Sequence, residues 1–250
     1  MANYRRIALV TDFGIGPYIG QIRLLLAEAL PTYPVIDLIN DLKVFRPELA
    51  AYLIPALVRN MPDETIYLTV VDPGVGSDRL ALAVEADGNL YIGPDNGLLA
   101  LVVRRARNVR TYRVDWRPSV ISNSFHGRDL FTPVAIAMAF DGTLERIPID
   151  LSSLQGIDWP DDRLQIIYQD WYGNLITGVR AMMMRSDDFI YAGDQKIRYA
   201  RTFCEVPIGT PFWYENAFGL VEIAVNQGCA AQALALRVGD DIMISQAINH

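Results

Sequence analysis

Histidine and cysteine are scarce in this chain, which limits the metal sites and disulfides that it can form. Its 250 residues include two histidines, His126 and His250, and two cysteines, Cys204 and Cys229. Both cysteines lie in apolar surroundings, so they predict buried reduced thiols and no disulfide framework. No metal site is predicted, because neither a cysteine nor the second histidine lies near His126 in the sequence.

Positive charge is also in short supply. The chain has 22 Lys and Arg against 29 Asp and Glu, a formal net charge of −7. This balance argues against nucleic acid as the main partner, because phosphate binding needs a basic face. The sequence also shows no apolar stretch of about 20 residues and no signal peptide after Met1. We therefore expect no membrane partner and a cytoplasmic location.

The motifs of several familiar enzyme classes are missing. No G-x-S-x-G nucleophile elbow occurs, which argues against an α/β-hydrolase with a Ser-His-Asp triad. Neither a P-loop nor a G-x-G-x-x-G segment is present, so both common signatures of phosphate binding are lacking. The sequence thus predicts no bound cofactor, and the side chains themselves have to supply the chemistry.

Apolar runs and helical periodicity alternate in the first part of the chain. Strands are predicted at 7–10, 35–39 and 65–71, and helices at 19–30 and 47–59. Pro55 lies inside the second helix and is expected to kink or divide it. Strand–helix–strand units build parallel sheets covered on both faces. This part therefore predicts an α/β domain, with a mostly parallel sheet between helices.

The pattern changes between Pro148 and Asp162, a stretch rich in polar residues and helix breakers. Before this stretch, a hairpin is predicted at 80–85 with 90–93, and helices at 96–105 and 132–139. After it, short strands are predicted at 164–168, 175–179, 189–192, 220–224 and 241–244. The predicted organisation is an N-terminal α/β domain at 1–150, a linker at 151–163 and a small antiparallel β domain or barrel at 164–250.

The N-terminal domain offers two carboxylates, a guanidinium and an imidazole as candidates for chemistry. Asp12 and Asp72 each follow a predicted strand, and ligands of open α/β sheets bind at the carboxyl ends of strands. Arg79 ends the loop that begins at Asp72, and His126 lies in Ser124-Phe125-His126-Gly127-Arg128-Asp129. Structural alternatives stay open. Asp12 would then cap the next helix, and Asp72 and Arg79 would only stabilise their loop. His126 would be an ordinary structural histidine.

The C-terminal domain offers two clusters of aromatic and polar residues. One is Asp170-Trp171-Tyr172-Gly173-Asn174, and the other is Phe212-Trp213-Tyr214-Glu215-Asn216. Aromatic rings beside Asp and Asn suit a flat heterocycle with an amine or amide edge. Aromatic residues of small β domains are also common core residues, so both interpretations stay open here.

Six short segments, in order along the chain, match the motifs of one enzyme family. They are TDFG at 11–14, VVDPGVGSDR at 70–79, GPDNGLL at 93–99, SFHGRDLFTP at 124–133, DWYGNLIT at 170–177 and GLVEIAVNQGCAA at 219–231. With these segments the chain resembles the S-adenosyl-L-methionine hydroxide adenosyltransferase family, relatives of the bacterial fluorinase and chlorinase. The resemblance implies attack of water or hydroxide on C5′ of S-adenosylmethionine, which gives adenosine and L-methionine.

The resemblance also implies roles for individual residues. Asp72, Arg79 and His126 match the residues that handle the nucleophilic water in the hydroxide-using branch. Asp170 and Asn174 match residues that contact the methionine amine and the nucleoside, and Asp12 matches the ribose-binding aspartate. The implied substrate-binding residues are Asp12, Asp170, Asn174, Tyr214, Asn216 and Ala230. Family members are homotrimers with active sites at the subunit interfaces, between the N-terminal domain of one subunit and the C-terminal domain of the next. The same assembly is implied here.

The chain also differs from its family at informative positions. The halogenating branch lacks the carboxylate and histidine that this chain has at Asp72 and His126. An anionic Asp72 would repel a halide in a poorly solvated pocket, which favours water as the nucleophile. Ala217, Gly178 and Pro17 replace a serine, an asparagine and a polar residue that are common in relatives. Two alternatives remain: halogenase-like substitution, and a non-catalytic S-adenosylmethionine or nucleoside-binding module, which the missing hydroxyl at Ala217 favours.

Overall fold

A computed structural model describes residues 4–140, 144–193 and 195–245. The chain divides into two compact units. The first comprises Met1–Pro55 with Asn60–Trp159, and the second comprises Ala56–Arg59 with Pro160–His250. The predicted linker at 151–163 is therefore shared between the two units. The outer limits of the predicted domains, residues 1 and 250, and His250 itself lie outside the described residues.

The first unit is built on a seven-stranded sheet. Its strands are β1 (Arg6–Thr11), β2 (Val35–Ile39), β3 (Thr65–Val70), β4 (Ala81–Ala86), β5 (Asn89–Pro94), β6 (Val109–Val114) and β7 (Arg146–Pro148), in the order β2-β1-β3-β5-β4-β6-β7. The β2–β1, β1–β3 and β3–β5 pairs are parallel, and the remaining three pairs are antiparallel. The predicted α/β class is confirmed. The sheet is mixed, because the two-residue connection from β4 to β5 allows only a hairpin.

Among the described residues, four α-helices accompany this sheet. They are α1 (Pro17–Ala29), α2 (Pro47–Leu57), α3 (Ala100–Arg105) and α4 (Thr132–Phe140), and a π-helical turn at Gly127–Phe131 leads into α4. Pro17 starts α1, where a missing backbone N–H costs nothing. Pro55 lies inside α2 without dividing it. Among the described helices none is long enough to cross a membrane, α1 being the longest with 13 residues.

One apolar core fixes the ends of the strands that carry the candidate residues. Ile22 and Leu26 of α1 share this core with Val134 of α4. The same core contains Ile7 and Leu9 of β1, and all five of these side chains are fully buried. Burial of one such side chain stabilises the folded state by roughly 1.5–3 kcal/mol. Thus α1 and α4 share one core with β1 and its neighbour β3, and this core positions the loops that follow these strands.

The second unit is a seven-stranded sheet of short strands. They are β8 (Arg163–Gln169), β9 (Leu175–Arg180), β10 (Phe189–Ala192), β11 (Gln195–Tyr199), β12 (Pro211–Glu215), β13 (Leu220–Val225) and β14 (Met243–Ser245), in the order β14-β10-β11-β12-β13-β9-β8. A short helix, α5, covers Ala230–Ala233. All pairs are antiparallel except β11–β12. The predicted antiparallel β domain is confirmed.

This second sheet curls until its two ends approach each other. The chain just before β14 bonds to the edge strand β8, with Ile242 N donating to Leu164 O at 2.9 Å and Gly239 N to Ile166 O at 2.8 Å. The result is a half-barrel with protected edges. The predicted buried state of the cysteines is wrong, because Cys204 is exposed and Cys229 is only partly buried.

Candidate active site

Two loops of the first unit meet at the carboxyl ends of adjacent parallel strands. Asp12 directly follows β1, and Asp72 lies two residues beyond the end of β3. Both side chains line a cavity of about 330 Å³, together with the segment Ser124–Gly127. In open α/β sheets, this edge is where loops can converge on a ligand. The fold therefore brings together Asp12, Asp72 and His126, which are far apart in the sequence.

Arg79 joins Asp72 to His126. Its guanidinium bonds both carboxylate oxygens of Asp72, with Nε donating to Oδ1 at 2.5 Å and Nη2 donating to Oδ2. The same Nη2 lies 3.2 Å from Nδ1 of His126. The side chains of Asp72 and Arg79 are each 6% exposed, and His126 is 3% exposed. The ion pair predicted for the loop exists, and it extends to the histidine.

The partner of His126 decides which nitrogen of the imidazole carries its proton. An arginine guanidinium is always a donor, so Nδ1 of His126 must accept and the proton must sit on Nε2. Burial, and then the nearby charge of Arg79, lower the pKa of His126 below its usual value of 6.5. The imidazole is therefore neutral at pH 7 and offers an N–H donor. The Nη1 atom of Arg79 is also buried and has no hydrogen-bond partner among the described residues.

Close backbone approach lets the two loops meet. Gly76 has a φ of +86°, and a Cβ atom there would lie 2.8 Å from the backbone oxygen of Asn123. Only glycine tolerates this conformation and this contact together. At the base of the loop, Asn96 donates from Nδ2 to the backbone oxygen of Val71 at 2.8 Å. The chain is thus held at Val71, just before Asp72, by Asn96. At Gly76 it approaches the backbone of Asn123, three residues before His126.

Aromatic rings shape the other wall of this cavity. Phe13 and Phe125 pack edge to face with ring centres 5.7 Å apart, and Tyr18 packs edge to face on Phe125 at 5.1 Å. A Cβ atom at Gly127 would lie 2.8 Å from the ring of Phe13, so any residue larger than glycine at this position would displace that ring. His126 immediately precedes the π-helical turn, a feature that is frequent at functional sites. His126 lies beside this wall and is itself 3% exposed.

Asp12 does not cap α1, which removes the structural alternative for this residue. The helix begins after Gly16 and has no side-chain cap. Instead, the carboxylate of Asp12 accepts a hydrogen bond from the backbone N–H of Phe45 at 3.3 Å. Burial is the main cause that raises the pKa of Asp12, and the charge of Asp72 adds to it. Asp12 is thus available to a ligand in the cavity.

The second unit has its own cavity, of about 620 Å³, which collects four of the predicted substrate-binding residues. Its lining includes Asp170, Asn174, Tyr214 and Asn216. The carboxylate of Asp170 accepts from the backbone N–H of Asn174 at 2.8 Å and from its side-chain Nδ2 at 3.0 Å. These residues lie on the loop before β9 and on or just after β12, two strands that flank β13 in the sheet. The sequence showed only an aromatic-polar cluster at each of the two places.

Ala230, the remaining predicted residue of this unit, lies elsewhere. It starts α5, is fully buried in the apolar core and is not part of the cavity lining. One residue that sequence analysis missed does line the cavity, namely Glu222 in β13. The sequence feature that could have indicated Glu222 is its charge, because it is the single charged residue of the apolar strand Leu220–Val225.

Two of the three departures from the family pattern have structural explanations. A Cβ atom at Gly178 would lie 2.7 Å from the Cβ atom of Arg163 on β8, so the asparagine common in relatives has no room here. Pro17 occupies the first position of α1. Ala217 lines the second cavity, so the missing hydroxyl changes a ligand-facing surface. Among the described residues, no group of three His, Cys, Asp or Glu side chains is placed to hold a metal ion.

Both units match the two domains of a single enzyme family. Residues 7–148 match the N-terminal domain of the SAM hydroxide adenosyltransferases, and residues 164–243 match the C-terminal domain. The chain belongs to this family. It is 34% identical to the (R)-S-adenosyl-L-methionine hydrolase of Thermus thermophilus, over 94% of this chain and 97% of the relative.

Two further relatives have lower sequence identity. The (R)-S-adenosyl-L-methionine hydrolase of Salinispora arenicola is 30% identical over 98% of this chain and 99% of its own length. A fluorinase of Actinopolyspora mzabensis is 21% identical over 96% and 97% of the two chains. The fold is similar to the crystal structure of an uncharacterized conserved protein from Thermotoga maritima, with a TM-score of 0.83 and 26% identity, over 96% of this chain and all of that one.

Proposed function

We propose that this protein hydrolyses S-adenosyl-L-methionine by attack of water on C5′, releasing adenosine and L-methionine. Family membership supports the reaction class. The observation that carries the proposal is the buried group formed by Asp72, Arg79 and His126 at one cavity. Two of them, Asp72 and His126, match the carboxylate and the histidine that the halogenating branch lacks.

In the proposed mechanism, Asp72 accepts the proton of the attacking water. Both oxygens of Asp72 accept hydrogen bonds from Arg79, but each keeps a second lone pair that can accept another. His126 has its proton on Nε2 and so serves as a donor that orients the water. The new bond forms between the water oxygen and C5′, and the electron pair of the broken C5′–S bond neutralises the sulfonium. The burial of these side chains favours this step, because charge disappears as the reaction proceeds.

The remaining candidates bind the substrate in this proposal. Asp12 accepts hydrogen bonds from the ribose hydroxyls, which suits a carboxylate at the carboxyl end of β1. Asp170 attracts the ammonium group of the methionine moiety, and Asn174 contacts the nucleoside. Tyr214 and Asn216 line the same cavity, whereas the role of Ala230 depends on the resemblance alone.

A product assay in water and in halide buffer tests the choice of nucleophile. We expect adenosine as the product with S-adenosylmethionine, and no 5′-halo-adenosine in chloride or fluoride buffer, because the negative charge of Asp72 repels a halide. Both sulfonium epimers should be supplied, since the named relatives are hydrolases of the (R) form. Halogenated nucleoside would favour the fluorinase-like alternative. Tight binding of the substrate without any adenosine would favour a non-catalytic binding module.

We further propose a homotrimer in which each active site combines residues of two subunits. The observation behind it is that the water-handling residues Asp72 and His126 line a cavity of the first unit together with Asp12. The other proposed substrate-binding residues that line a cavity do so in the second unit, at a different cavity formed by Asp170, Asn174, Tyr214 and Asn216. In a ring of identical heterologous contacts, every interface completes one such site.

Mixing two inactive variants tests this assembly. Asp72→Asn chains and Asp170→Asn chains, each with little activity alone, should regain about a quarter of the wild-type activity when co-refolded in equal amounts. An intact site needs Asp72 from an Asp170→Asn chain and Asp170 from a neighbouring Asp72→Asn chain. In an equal mixture each of these conditions is met about half of the time, so about a quarter of the sites are intact. The control is each variant co-refolded with itself. If the mixture shows no more activity than its components, the shared site is wrong.

A further inference from the structure

Glu222 is a buried acid in the middle of an apolar strand. It is 4% exposed, and its neighbours Val221 and Ile223 are fully buried. In the sheet it lies opposite Tyr214 of β12 and Ile176 of β9. Burial of a carboxylate is costly unless hydrogen bonds or charges compensate it. An apolar residue would suit the strand better, so the acid at this position needs an explanation beyond folding.

Its contacts are the residues proposed to bind the substrate. Tyr214 donates from its hydroxyl to Oε1 of Glu222 at 2.5 Å, and Asn216 donates from Nδ2 to Oε2 at 2.9 Å. The amide orientation of Asn216 is unambiguous, because its Oδ1 accepts from the backbone N–H of Phe218 and of Leu220 at 2.9 and 3.0 Å. The carboxylate of Glu222 therefore fixes the positions of the Tyr214 hydroxyl and the Asn216 amide group.

The charge of Glu222 faces the same cavity as that of Asp170. Both residues line it, and no lysine or arginine is among its described lining residues. Burial is the main cause that raises the pKa of Glu222, and the negative charge of Asp170 raises it further, against the hydrogen bonds from Tyr214, Asn216 and Asn174. A cation that enters this cavity relieves the repulsion between the two carboxylates. Tyr214 and Phe218 also line the cavity, and the faces of aromatic rings attract cations.

We propose that Glu222 is a positioning residue of the substrate site. Its carboxylate fixes its two donors in the cavity wall and supplies a second negative charge beside Asp170. This role rests on the proposed function, since S-adenosylmethionine carries the two cations, the ammonium and the sulfonium, that such a wall favours. Adenosine, the nucleoside product, carries neither of these positive charges. Glu222 thus selects for the intact cationic substrate over the nucleoside product.

The Glu222→Gln variant tests this role, because it keeps the shape of the side chain and removes the charge. The KM for S-adenosylmethionine should rise about 10- to 100-fold, the loss expected for one charge-assisted contact, whereas kcat should stay within about threefold. The inhibition constant of adenosine should stay unchanged, since this ligand has no cation. Glu215→Gln is the matched control, because Glu215 is an exposed acid on the adjacent strand.

Several outcomes would overturn the proposal. A folded Glu222→Gln enzyme with wild-type KM would show that the acid is only part of the sheet. Equal weakening of S-adenosylmethionine and adenosine would remove the role of the charge. If Glu222→Gln does not fold, Tyr214→Phe removes one partner of the carboxylate and should still raise KM, and an unchanged KM would be decisive against the role. A wild-type protein that forms no adenosine would instead contradict the proposed function itself.

Discussion

Asp72→Asn is expected to lower kcat by about 10²- to 10⁴-fold, the usual contribution of a general base, with little change in KM. The amide keeps the size of the side chain but cannot accept the proton of the attacking water. It also leaves the charge of Arg79 unbalanced beside Nδ1 of His126, 3.2 Å away. Substrate contacts in the second unit are untouched, so binding should survive. Steady-state adenosine formation gives kcat and KM separately.

The same substitution should also destabilise the protein, and this effect has to be separated from catalysis. The side chains of Asp72 and Arg79 are each 6% exposed. Removal of one partner from a buried ion pair typically costs about 3–5 kcal/mol, since an uncompensated charge remains. The double variant Asp72→Asn with Arg79→Gln removes both charges, so thermal unfolding should show recovered stability. Activity should stay low in the double variant, because the base is still missing.

Asp78→Asn is the matched control for this experiment. Asp78 is an exposed acid in the same loop and is not part of the cavity lining. Its substitution changes the net charge equally and should leave kcat within about twofold, as for surface positions without special contacts. Should Asp72→Asn retain near wild-type kcat while folded, Asp72 would be no more than a loop-stabilising residue.

Much of this site could be predicted from sequence only through the family motifs. Arg79 and His126 are 47 residues apart, and nothing in the periodicity of either loop indicates that they touch. Asp12 and Asp72 were within reach of simple reasoning, because the carboxyl ends of neighbouring parallel strands share one edge. The position of the proton on His126 was not within reach, since it depends on which nitrogen faces Arg79.

The strands and the residue that sequence analysis missed have separate physical causes. Strands β6 and β11 carry arginine, lysine and tyrosine on faces that the fold leaves partly exposed, so they show no apolar run. Strand β12 begins at Pro211, which argues against a strand in sequence analysis but is tolerated at the first residue. Glu222 was missed for the opposite reason. A strand that is otherwise apolar predicts core, and only the structure shows the cavity beside it.

Gly76→Ala is expected to lower kcat by about 10²-fold, since a misplacement of about 1 Å at a catalytic group has effects of this size. The glycine has a φ of +86°, and an added Cβ atom would lie 2.8 Å from the backbone oxygen of Asn123. The clash is with backbone, so a side-chain rotation cannot relieve it. The loop that carries Asp72 and Arg79 must therefore move away from the loop that carries His126.

The matched control is Gly74→Ala in the same loop. A Cβ atom at Gly74 would meet only ordinary contacts, the nearest being Oγ of Ser77 at 3.5 Å, and its φ lies outside the left-handed region. We expect this variant to keep kcat within a few-fold of wild type. Thermal unfolding should show that both variants fold. Equal activity of the two variants would mean that contact between the loops is dispensable, and that His126 works independently of Asp72 and Arg79. A selective loss in Gly76→Ala would instead tie the function of His126 to the approach of the second loop.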